Sequence, residues 1–325
     1  MNLNSKQEIL EALRLPWEEF ERTVGAEALR IKKERNGNRL VAVSMMGFTN
    51  VCKNQCLYCG MRAGNANLKR YRMEPETVIA AAQQAARQGF QKIFLISGED
   101  PKYGFENLVR IVSACKDLGL HVSLACGEFS KEQFRILKEA GADRYVAKFE
   151  MSRPESFNRL NPSTDFKHRM ECIRWIKEAG LELASGNIVD WPGQTLEELA
   201  EDILLMKQLE IDWAPIVPYM PAAGTPLAAE GGRGSIEKNL REISLLRVLL
   251  PDVYITAGQP GENLKEGFAS PSGNLAAIRA GGDMMYTDLL PNDLSDVFRV
   301  VDNRILLGME HIRTMAEQSG SVLQF

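Results

Sequence analysis

Three cysteines, Cys52, Cys56 and Cys59, lie within eight positions of the chain. They follow a predicted strand and have the spacing C-x3-C-x2-C on a short polar loop. Three thiolates on one loop can ligate three irons of a 4Fe-4S cube, which leaves the fourth iron without a protein ligand. Such an iron is open to a small molecule. The spacing therefore predicts an iron-sulfur cluster with one reactive corner.

Other uses of the cysteines fit the sequence less well. A zinc site usually needs four ligands, or three and a water, and the nearest histidine, His121, lies beyond two further predicted strands. A thioredoxin-like pair formed by Cys56 and Cys59 leaves Cys52 unexplained and lacks the strand-to-helix context of that motif. A second cluster is disfavoured, because the other cysteines are irregularly spaced and free cysteine commonly behaves as a small buried hydrophobe. Those cysteines are Cys115, Cys126 and Cys172.

The composition is that of a globular protein. Of 325 residues, 45% are hydrophobic and 25% are charged, which excludes a disordered tail, a coiled coil or a collagen. The net charge is -4 and the basic residues are scattered, so we expect a small-molecule substrate and not nucleic acid. No apolar run approaches the ~20 residues that cross a bilayer. Six cysteines are a poor disulfide framework for so long a chain. We therefore expect a cytoplasmic protein with no membrane partner.

Glycine and proline positions divide the chain into a recurring unit, in which an amphipathic helix ends at a glycine and a short β-branched run follows. The glycines that end a helical pattern just before a strand are Gly89, Gly119, Gly141 and Gly180. The predicted strands are Leu40–Met46, Lys92–Ser97, His121–Cys126, Arg144–Glu150, Glu182–Val189, Trp213–Pro218, Val253–Ala257 and Asp283–Thr287. Two helical stretches, Lys6–Leu13 and Trp17–Arg35, precede them.

Alternating strands and helices imply parallel strands, and eight of them predict an α/β fold closed into a single (β/α)8 barrel of the TIM type. We expect this barrel over residues 37–325 and an N-terminal helical extension over residues 1–36. An open doubly wound sheet is the alternative if one or two weak strands do not form. Capping boxes predict two helix starts, at Ser130 with Gln133 and at Thr195 with Glu198. Because TIM barrels carry active sites at the carboxyl ends of their strands, the residues after each strand are candidates for function.

The cysteine loop resembles that of the radical S-adenosylmethionine (SAM) superfamily, which has the same spacing after its first barrel strand and an aromatic residue before the last cysteine, here Tyr58. The resemblance covers nearly the whole chain. It implies an enzyme whose open iron chelates the methionine part of SAM and whose cluster cleaves SAM to a 5′-deoxyadenosyl radical. That radical then takes a hydrogen atom from the substrate. The resemblance also implies a low-potential electron donor such as a flavodoxin or ferredoxin.

The same resemblance assigns SAM-contacting roles to residues at the ends of four further strands and to one arginine in the helix after the fourth strand. The glycine-plus-acid segment after the second strand is Gly98, Glu99 and Asp100, and two further acids are Glu128 and Glu150. Arg169 is the arginine suited to a carboxylate, and Ile188 is the aliphatic residue on the adenine.

Further motifs resemble one branch of this superfamily, which contains the FeFe-hydrogenase maturase HydE and the methylornithine synthase PylB. They are Cys56–Arg62, Leu68–Met73, Ser97–Pro101, Gly141–Tyr145, Pro192–Thr195 and Gly224–Ala228. HydE is the better match, which implies a cysteine- or amino-acid-derived substrate in metallocofactor maturation. A PylB-like amino-acid mutase or lyase is the first alternative, and a non-catalytic Fe-S carrier or scaffold is an alternative of another class.

The substrate cavity departs from the branch. The chain has Lys148-Phe149-Glu150-Met151 where HydE has Arg-His-Glu-Thr, and a lysine is a mobile point charge where arginine is a planar fork. The strand ends place four residues near one mouth of the barrel, where they could hold a zwitterionic amino acid. These candidates are Lys148, Asp190, Tyr286 and Asp288, and the comparison with the branch adds Arg144. The alternatives are that Lys148 or Asp288 pairs with a neighbour and that Arg144 forms a structural ion pair.

Overall fold

The structure is a computed structural model that describes residues 3–305 and 308–325. Its strands are β1 (Arg39–Thr49), β2 (Lys92–Ser97), β3 (His121–Ala125), β4 (Arg144–Val146), β5 (Glu182–Ala184), β6 (Ile188–Val189), β7 (Trp213–Ala214), β8 (Val217–Pro218), β9 (Tyr254–Ile255), β10 (Met284–Asp288) and β11 (Val322–Gln324). Its helices are α1 (Lys6–Arg14), α2 (Trp17–Phe20), α3 (Ala26–Glu34), α4 (Pro75–Arg87), α5 (Phe105–Asp117), α6 (Lys131–Glu139), α7 (Pro154–Leu160), α8 (Phe166–Glu178), α9 (Leu196–Leu209), α10 (Ile236–Leu249), α11 (Pro271–Ala280), α12 (Asn292–Ser295) and α13 (Met309–Ser319). None of these helices is long and apolar enough to span a membrane.

Eight parallel strands form a ring in the order β10-β1-β2-β3-β4-β5-β7-β9. The ring closes between β9 and β10 through a parallel bridge that joins Thr256 and Met284. Two backbone hydrogen bonds support this seam, from Ala257 N to Met284 O (2.7 Å) and from Asp283 N to Ile255 O (2.9 Å). The predicted TIM-type (β/α)8 barrel is therefore confirmed, and the open-sheet alternative is wrong.

Two predicted strands are each divided into shorter pieces. The run Glu182–Val189 forms β5 and β6, and the run Trp213–Pro218 forms β7 and β8. The divisions fall at Gly186, which packs against Ile216, and at Pro215, which has no N–H to donate to a ladder. Strands β6 and β8 pair with each other in a small separate sheet.

The fourth strand and the C-terminus also differ from the prediction. Strand β4 ends at Val146, before Glu150, which has a left-handed backbone with φ +58°. The C-terminal strand β11, which was not predicted, pairs with the start of β1 beside the ring.

Packed side chains fill the interior of the barrel. The rings of Phe94, Trp213 and Tyr286 lie 5.1 to 6.0 Å apart, in tilted and edge-on arrangements that aromatic pairs favour. The indole N–H of Trp213 donates to the Thr256 hydroxyl at 3.1 Å. These rings belong to a buried apolar cluster with inward-facing residues of β1, β5 and β10. Chemistry is therefore confined to the loops above the carboxyl ends of the strands.

Local signals for helix ends are largely confirmed. The four glycines predicted to end helices have φ between +76° and +109°, a conformation that glycine adopts without strain. Ser130 and Gln133 form the reciprocal capping box. Thr195 accepts from the Glu198 backbone N–H, but the Glu198 carboxylate faces Ser156 and does not return the second bond.

Most of the described residues before the barrel are helical. Helix α1 packs on α9, and α3 packs on α10. The predicted helix Trp17–Arg35 contains a π-helical segment, Glu21–Gly25, between α2 and α3. The division of the chain into an extension over residues 1–36 and a barrel over residues 37–325 stays a prediction.

A buried ion pair stabilises the seam of the barrel, and its loss is expected to lower stability. Asp283 accepts from Arg39 (2.9 Å) and from the Ile255 backbone N–H (2.8 Å), and it forms an ion pair with Arg247, whose guanidinium lies 3.0 Å away. Asp283 and Arg247 are fully buried. Asp283→Asn leaves a buried guanidinium uncompensated, so we expect the free energy of unfolding to fall by about 3 kcal/mol. Urea denaturation of the two proteins measures this change. Asp252→Asn, which breaks the exposed pair with Arg35, is the matched control, and an equal loss in both variants would contradict the prediction.

Candidate active site

The three cysteines lie on the loop that connects β1 to α4, at the carboxyl end of β1. All three thiols are free and partly exposed. Burial and the neighbouring charge of Cys52 raise the pKa of Cys56 to about 12, and burial and the charge of Cys56 raise the pKa of Cys59 further. The sulfur groups are therefore close enough to act on one another. Three neighbouring thiols that are protonated in the free protein fit a metal cluster, because metal binding displaces their protons.

Backbone hydrogen bonds join the cysteine loop to its surroundings. Leu57 N donates to Leu160 O at 2.8 Å, and Gly60 N donates to Val300 O at 2.9 Å. Gly98, just after β2, touches the loop so closely that a Cβ there would lie 2.2 Å from the carbonyl oxygen of Val51. The position after β2 therefore requires glycine, and its backbone forms one wall beside the cysteines.

Tyr58 is anchored between the loop and α7. Its hydroxyl donates to the Asn161 side chain at 2.7 Å. Its ring packs on the apolar cluster that contains Ile188, Met151 and Phe157. The structure therefore brings together Tyr58 and Ile188, two residues that the resemblance assigns to the SAM site. Asn161 was not predicted from the sequence, since nothing local marks it as the partner of a tyrosine far from it along the chain.

The two acids after β2 have different surroundings. Glu99 pairs with Lys53 Nζ (2.7 Å) and accepts from the Asn54 amide (2.9 Å), so it lies directly against the cysteine loop. The carboxylate of Asp100 accepts a two-point contact from Arg72, at 2.6 and 3.0 Å, and is almost fully buried. Both acids therefore have a cationic partner within the protein, but the partner of Glu99 belongs to the cysteine loop and the partner of Asp100 does not.

Glu128, just after β3, forms an ion pair with Arg169 of α8. Arg169 Nε donates to Glu128 Oε1 at 2.7 Å, and a second guanidinium nitrogen donates to the Lys148 carbonyl. The charge of Arg169 also acts on Cys56, which places this pair near the cysteines. Burial disfavours the charged guanidinium, but Glu128 outweighs that effect and raises the pKa of Arg169.

Glu128 also lies near His168 and Cys172, and the potential ligand atoms of the three residues are within 4.8 Å of one another. Its Oε1 accepts from Arg169, and its Oε2 accepts from the Thr164 hydroxyl at 2.8 Å. Because both oxygens are in use and a cation is adjacent, we interpret the group as an ion-pair and hydrogen-bond cluster.

Glu150, in the loop after β4, has an unusual backbone. Its φ of +58° is rare outside glycine and costs of order 1 kcal/mol, and such strain clusters at functional sites. Lys148 Nζ lies 3.1 Å from its carboxylate. Its carbonyl accepts from Ile188 N at 3.1 Å. The charge of Glu150 raises the pKa values of Cys56 and Cys59, so this carboxylate also lies close to the cysteines.

The structure separates the five predicted substrate residues. Lys148 lies beside Glu150 and Arg169, close to the cysteine loop. Asp190 accepts from Ser235 N (2.8 Å) and Lys238 (2.5 Å) at the start of α10.

Tyr286 belongs to the aromatic layer inside the barrel, and its hydroxyl lies 3.1 Å from that of Thr256. The carboxylate of Asp288 pairs with Arg304 at 3.0 Å and is nearly buried. Asp190, Tyr286 and Asp288 thus all have partners within the protein.

Arg144 is not at the mouth. It is the first residue of β4 and pairs with Glu182, the first residue of β5, at 2.5 Å. Its guanidinium lies 5.1 Å from the centre of the Tyr254 ring. These contacts place Arg144 at the amino-terminal end of the barrel, opposite the cysteine loop. The structure therefore does not bring Arg144 together with the other candidates, because the strand begins at this residue and does not end there.

Comparison with known proteins identifies the class to which this site belongs. The family model for the radical SAM superfamily matches residues 46–206. The chain is 34% identical over 301 residues to the [FeFe] hydrogenase maturase subunit HydE of Thermotoga maritima, a match that covers 93% of this chain and 85% of the relative. The chain therefore belongs to the radical SAM superfamily and is an enzyme of that class. Members of the superfamily use SAM and a 4Fe-4S cluster.

Two further comparisons narrow the relationship. The chain is 27% identical over 269 residues to the 3-methylornithine synthase of Methanosarcina acetivorans, which covers 82% of this chain and 74% of the relative. The crystal structure of methylornithine synthase (PylB) superposes with a TM-score of 0.85 at 22% identity, covering 99% of this chain and 94% of that one. The chain is thus similar in sequence to HydE and 3-methylornithine synthase, and PylB has the same fold.

Proposed function

We propose that the protein is a HydE-like enzyme that cleaves SAM and acts on a cysteine- or amino-acid-derived small substrate during metallocofactor maturation. The observation that carries the proposal is the convergence of three thiols with Glu99, Glu150 and Arg169 at one mouth of the barrel. The sequence identity to HydE, spread over nearly the whole chain, supports the substrate class.

The residues at the mouth fit the groups that the superfamily uses. Cys52, Cys56 and Cys59 would hold the cluster, which leaves one iron for SAM. When bound, the cluster and SAM together supply a radical that takes a hydrogen atom from the substrate. Three acids and three bases form ion pairs around the thiols. A molecule that carries both a positive and a negative charge can therefore replace one member of such a pair and bind the other. The acids are Glu99, Glu128 and Glu150, and the bases are Lys53, Lys148 and Arg169.

Individual residues take distinct tasks in this proposal. Glu99, with the backbone at Gly98, orients the ammonium group of SAM. Arg169 offers a planar fork to a carboxylate, and Ile188 provides an apolar surface for the adenine. The aromatic layer formed by Phe94, Trp213 and Tyr286 keeps water away from the reacting groups from inside the barrel. A low-potential flavodoxin or ferredoxin would supply the electron, and a reducing compartment such as the cytoplasm suits the free thiols.

A PylB-like amino-acid mutase or lyase is the second candidate. The similarity to 3-methylornithine synthase favours it, as does the ion pair of Lys148 with Glu150. Opposite charges 3.1 Å apart could each release the other to bind one end of a zwitterionic amino acid.

Product analysis tests the proposal. Purified protein with a reconstituted cluster, a reductant and SAM is expected to release 5′-deoxyadenosine, whereas an Fe-S carrier would release none. Deuterium transfer from labelled lysine, or from another free amino acid, into 5′-deoxyadenosine would favour the mutase. Absence of transfer from every free amino acid, with continued SAM cleavage, would favour the maturase.

Arg169→Lys is expected to weaken SAM binding more than turnover. Lysine keeps the charge but cannot bridge the Glu128 carboxylate and the Lys148 carbonyl at once, so we expect KM for SAM to rise about tenfold, the loss of one charge-assisted hydrogen bond. Initial rates of 5′-deoxyadenosine release at varied SAM concentrations measure the effect. Arg174→Lys changes an exposed residue of the same helix and is the control. An unchanged KM in Arg169→Lys would rule out this role.

A further inference from the structure

The segment Leu68–Met73 crosses the cysteine loop, and one of its side chains joins the two ends of that loop. Arg70 Nη1 donates to the carbonyls of Asn50 (2.7 Å) and Met61 (2.8 Å). Its Nη2 donates to the carbonyls of Arg62 (2.7 Å) and Asn65 (3.3 Å). Asn50 precedes all three cysteines and the other three acceptors follow them. A single guanidinium therefore fixes the distance across the loop.

The neighbours of Arg70 are held in turn by a buried side chain of the loop. The Asn50 amide donates to Lys69 O at 2.8 Å and accepts from Tyr71 N at 2.8 Å, and Asn50 is fully buried. The backbone on both sides of Arg70 is thus bound to the residue where the loop begins. This arrangement orients the guanidinium before any ligand binds, so little side-chain freedom is lost when the loop is occupied.

Arg70 brings an uncompensated positive charge to the loop. Its four acceptors are neutral main-chain carbonyls, and no carboxylate in residues 3–305 or 308–325 forms an ion pair with it. Its neighbour Arg72, by contrast, is neutralised by Asp100. Two of the carbonyls that accept from Arg70 belong to Asn50 and Met61, which lie two positions from Cys52 and Cys59 along the chain, so the guanidinium lies beside the part of the loop that carries the cysteines. Because an arginine stays protonated in proteins, this charge is permanent.

We propose that Arg70 is the positioning residue of the cysteine loop and that its charge raises the reduction potential of the cluster. The inference rests on the proposed function, since it assumes a cluster at the three cysteines. Cluster potentials depend on net charge, hydrogen bonding and solvent exposure, and a fixed cation favours the state that carries one more electron. Lysine in its place would keep the charge but would not reach carbonyls in two directions at once.

The first experiment measures the potential. Wild type, Arg70→Gln and Arg70→Lys are reconstituted without oxygen and titrated with a reductant, and the reduced cluster is followed by electron paramagnetic resonance. We expect a more negative potential in Arg70→Gln and an intermediate value in Arg70→Lys. Lys69→Gln removes a solvent-exposed charge next along the chain and should leave the potential unchanged. Equal potentials in wild type and Arg70→Gln would overturn the role of the charge.

The second experiment needs no cluster and covers the case in which a variant holds too little iron to titrate. Hydrogen exchange of peptides within residues 52–65 is compared in the cluster-free proteins. We expect exchange at least about tenfold faster in both Arg70 variants, as the loss of charge-assisted bonds implies, and no change in Lys69→Gln. Unchanged exchange in both Arg70 variants would overturn the positioning role.

The two experiments separate this inference from the proposed function. Wild-type protein that binds no cluster or releases no 5′-deoxyadenosine would refute the proposed function itself. If the wild-type protein binds a cluster and releases 5′-deoxyadenosine, and the Arg70 variants have the same reduction potential and exchange rates as the wild type, only the inference about Arg70 is refuted.

Discussion

Cys56→Ala is expected to reduce the iron content of reconstituted protein from about four atoms per chain to near zero, since two thiolates do not hold a 4Fe-4S cube. Release of 5′-deoxyadenosine should fall at least about 100-fold, to the background of the assay, because a side chain that held the cluster cannot be replaced by a neighbour. Iron analysis and chromatography of the SAM-derived products measure both effects. The same change at Cys52 or Cys59 should have the same result.

Cys115→Ala provides the matched control. Cys115 is a fully buried free cysteine within α5, so its loss should reduce stability slightly and leave the iron content intact. Iron retention in Cys56→Ala at the wild-type level would show that the cluster, if one forms, has other ligands.

Gly98→Ala is expected to displace the cysteine loop while leaving all three cysteines in place. The new Cβ would lie 2.2 Å from Val51 O and 2.8 Å from Cys52 Cβ, so backbone must move. Forced packing of this kind costs about 1–3 kcal/mol. We expect SAM cleavage to fall at least about tenfold, in line with that cost, together with lower iron content and a lower urea midpoint.

Gly232→Ala is the control for this substitution. Gly232 lies in the loop between β8 and α10, and a Cβ there meets nothing within 4 Å. It should retain wild-type cleavage and stability. If Gly98→Ala cleaves SAM at the wild-type rate, the loop tolerates a shift at this contact. The close fit of Gly98 would then not matter for activity.

The cysteine loop and the barrel were predictable because their signals are local. The thiol spacing occupies eight positions, and four helix-strand units have a glycine between the helix and the strand. The contact partner of an individual charged residue could not be predicted in the same way. Asp100 is neutralised by Arg72, which lies 28 positions away, and Asp190 contacts Lys238, 48 positions away. Whether an acid at a strand end meets a ligand or a neighbour depends on the folded chain.

The sequence also contains signals for Arg70 and for the divided strands. Arg70 lies within the motif Leu68–Met73, but the reach of its guanidinium across the loop follows only from the three-dimensional path of the chain. The divided strands could have been foreseen, since Pro215 cannot donate within a ladder and Gly186 has no side chain to pack. The β-branched residues that follow them, Ile188, Val189, Ile216 and Val217, concealed these interruptions.

The aromatic layer inside the barrel has a consequence for the order of events. Phe94, Trp213 and Tyr286 fill the middle of the barrel. Reactants and products must therefore enter and leave through the same opening, at the carboxyl ends of the strands. Under the proposed function, a substrate bound deeper in the barrel than the nucleotide would therefore have to enter before it and leave after it.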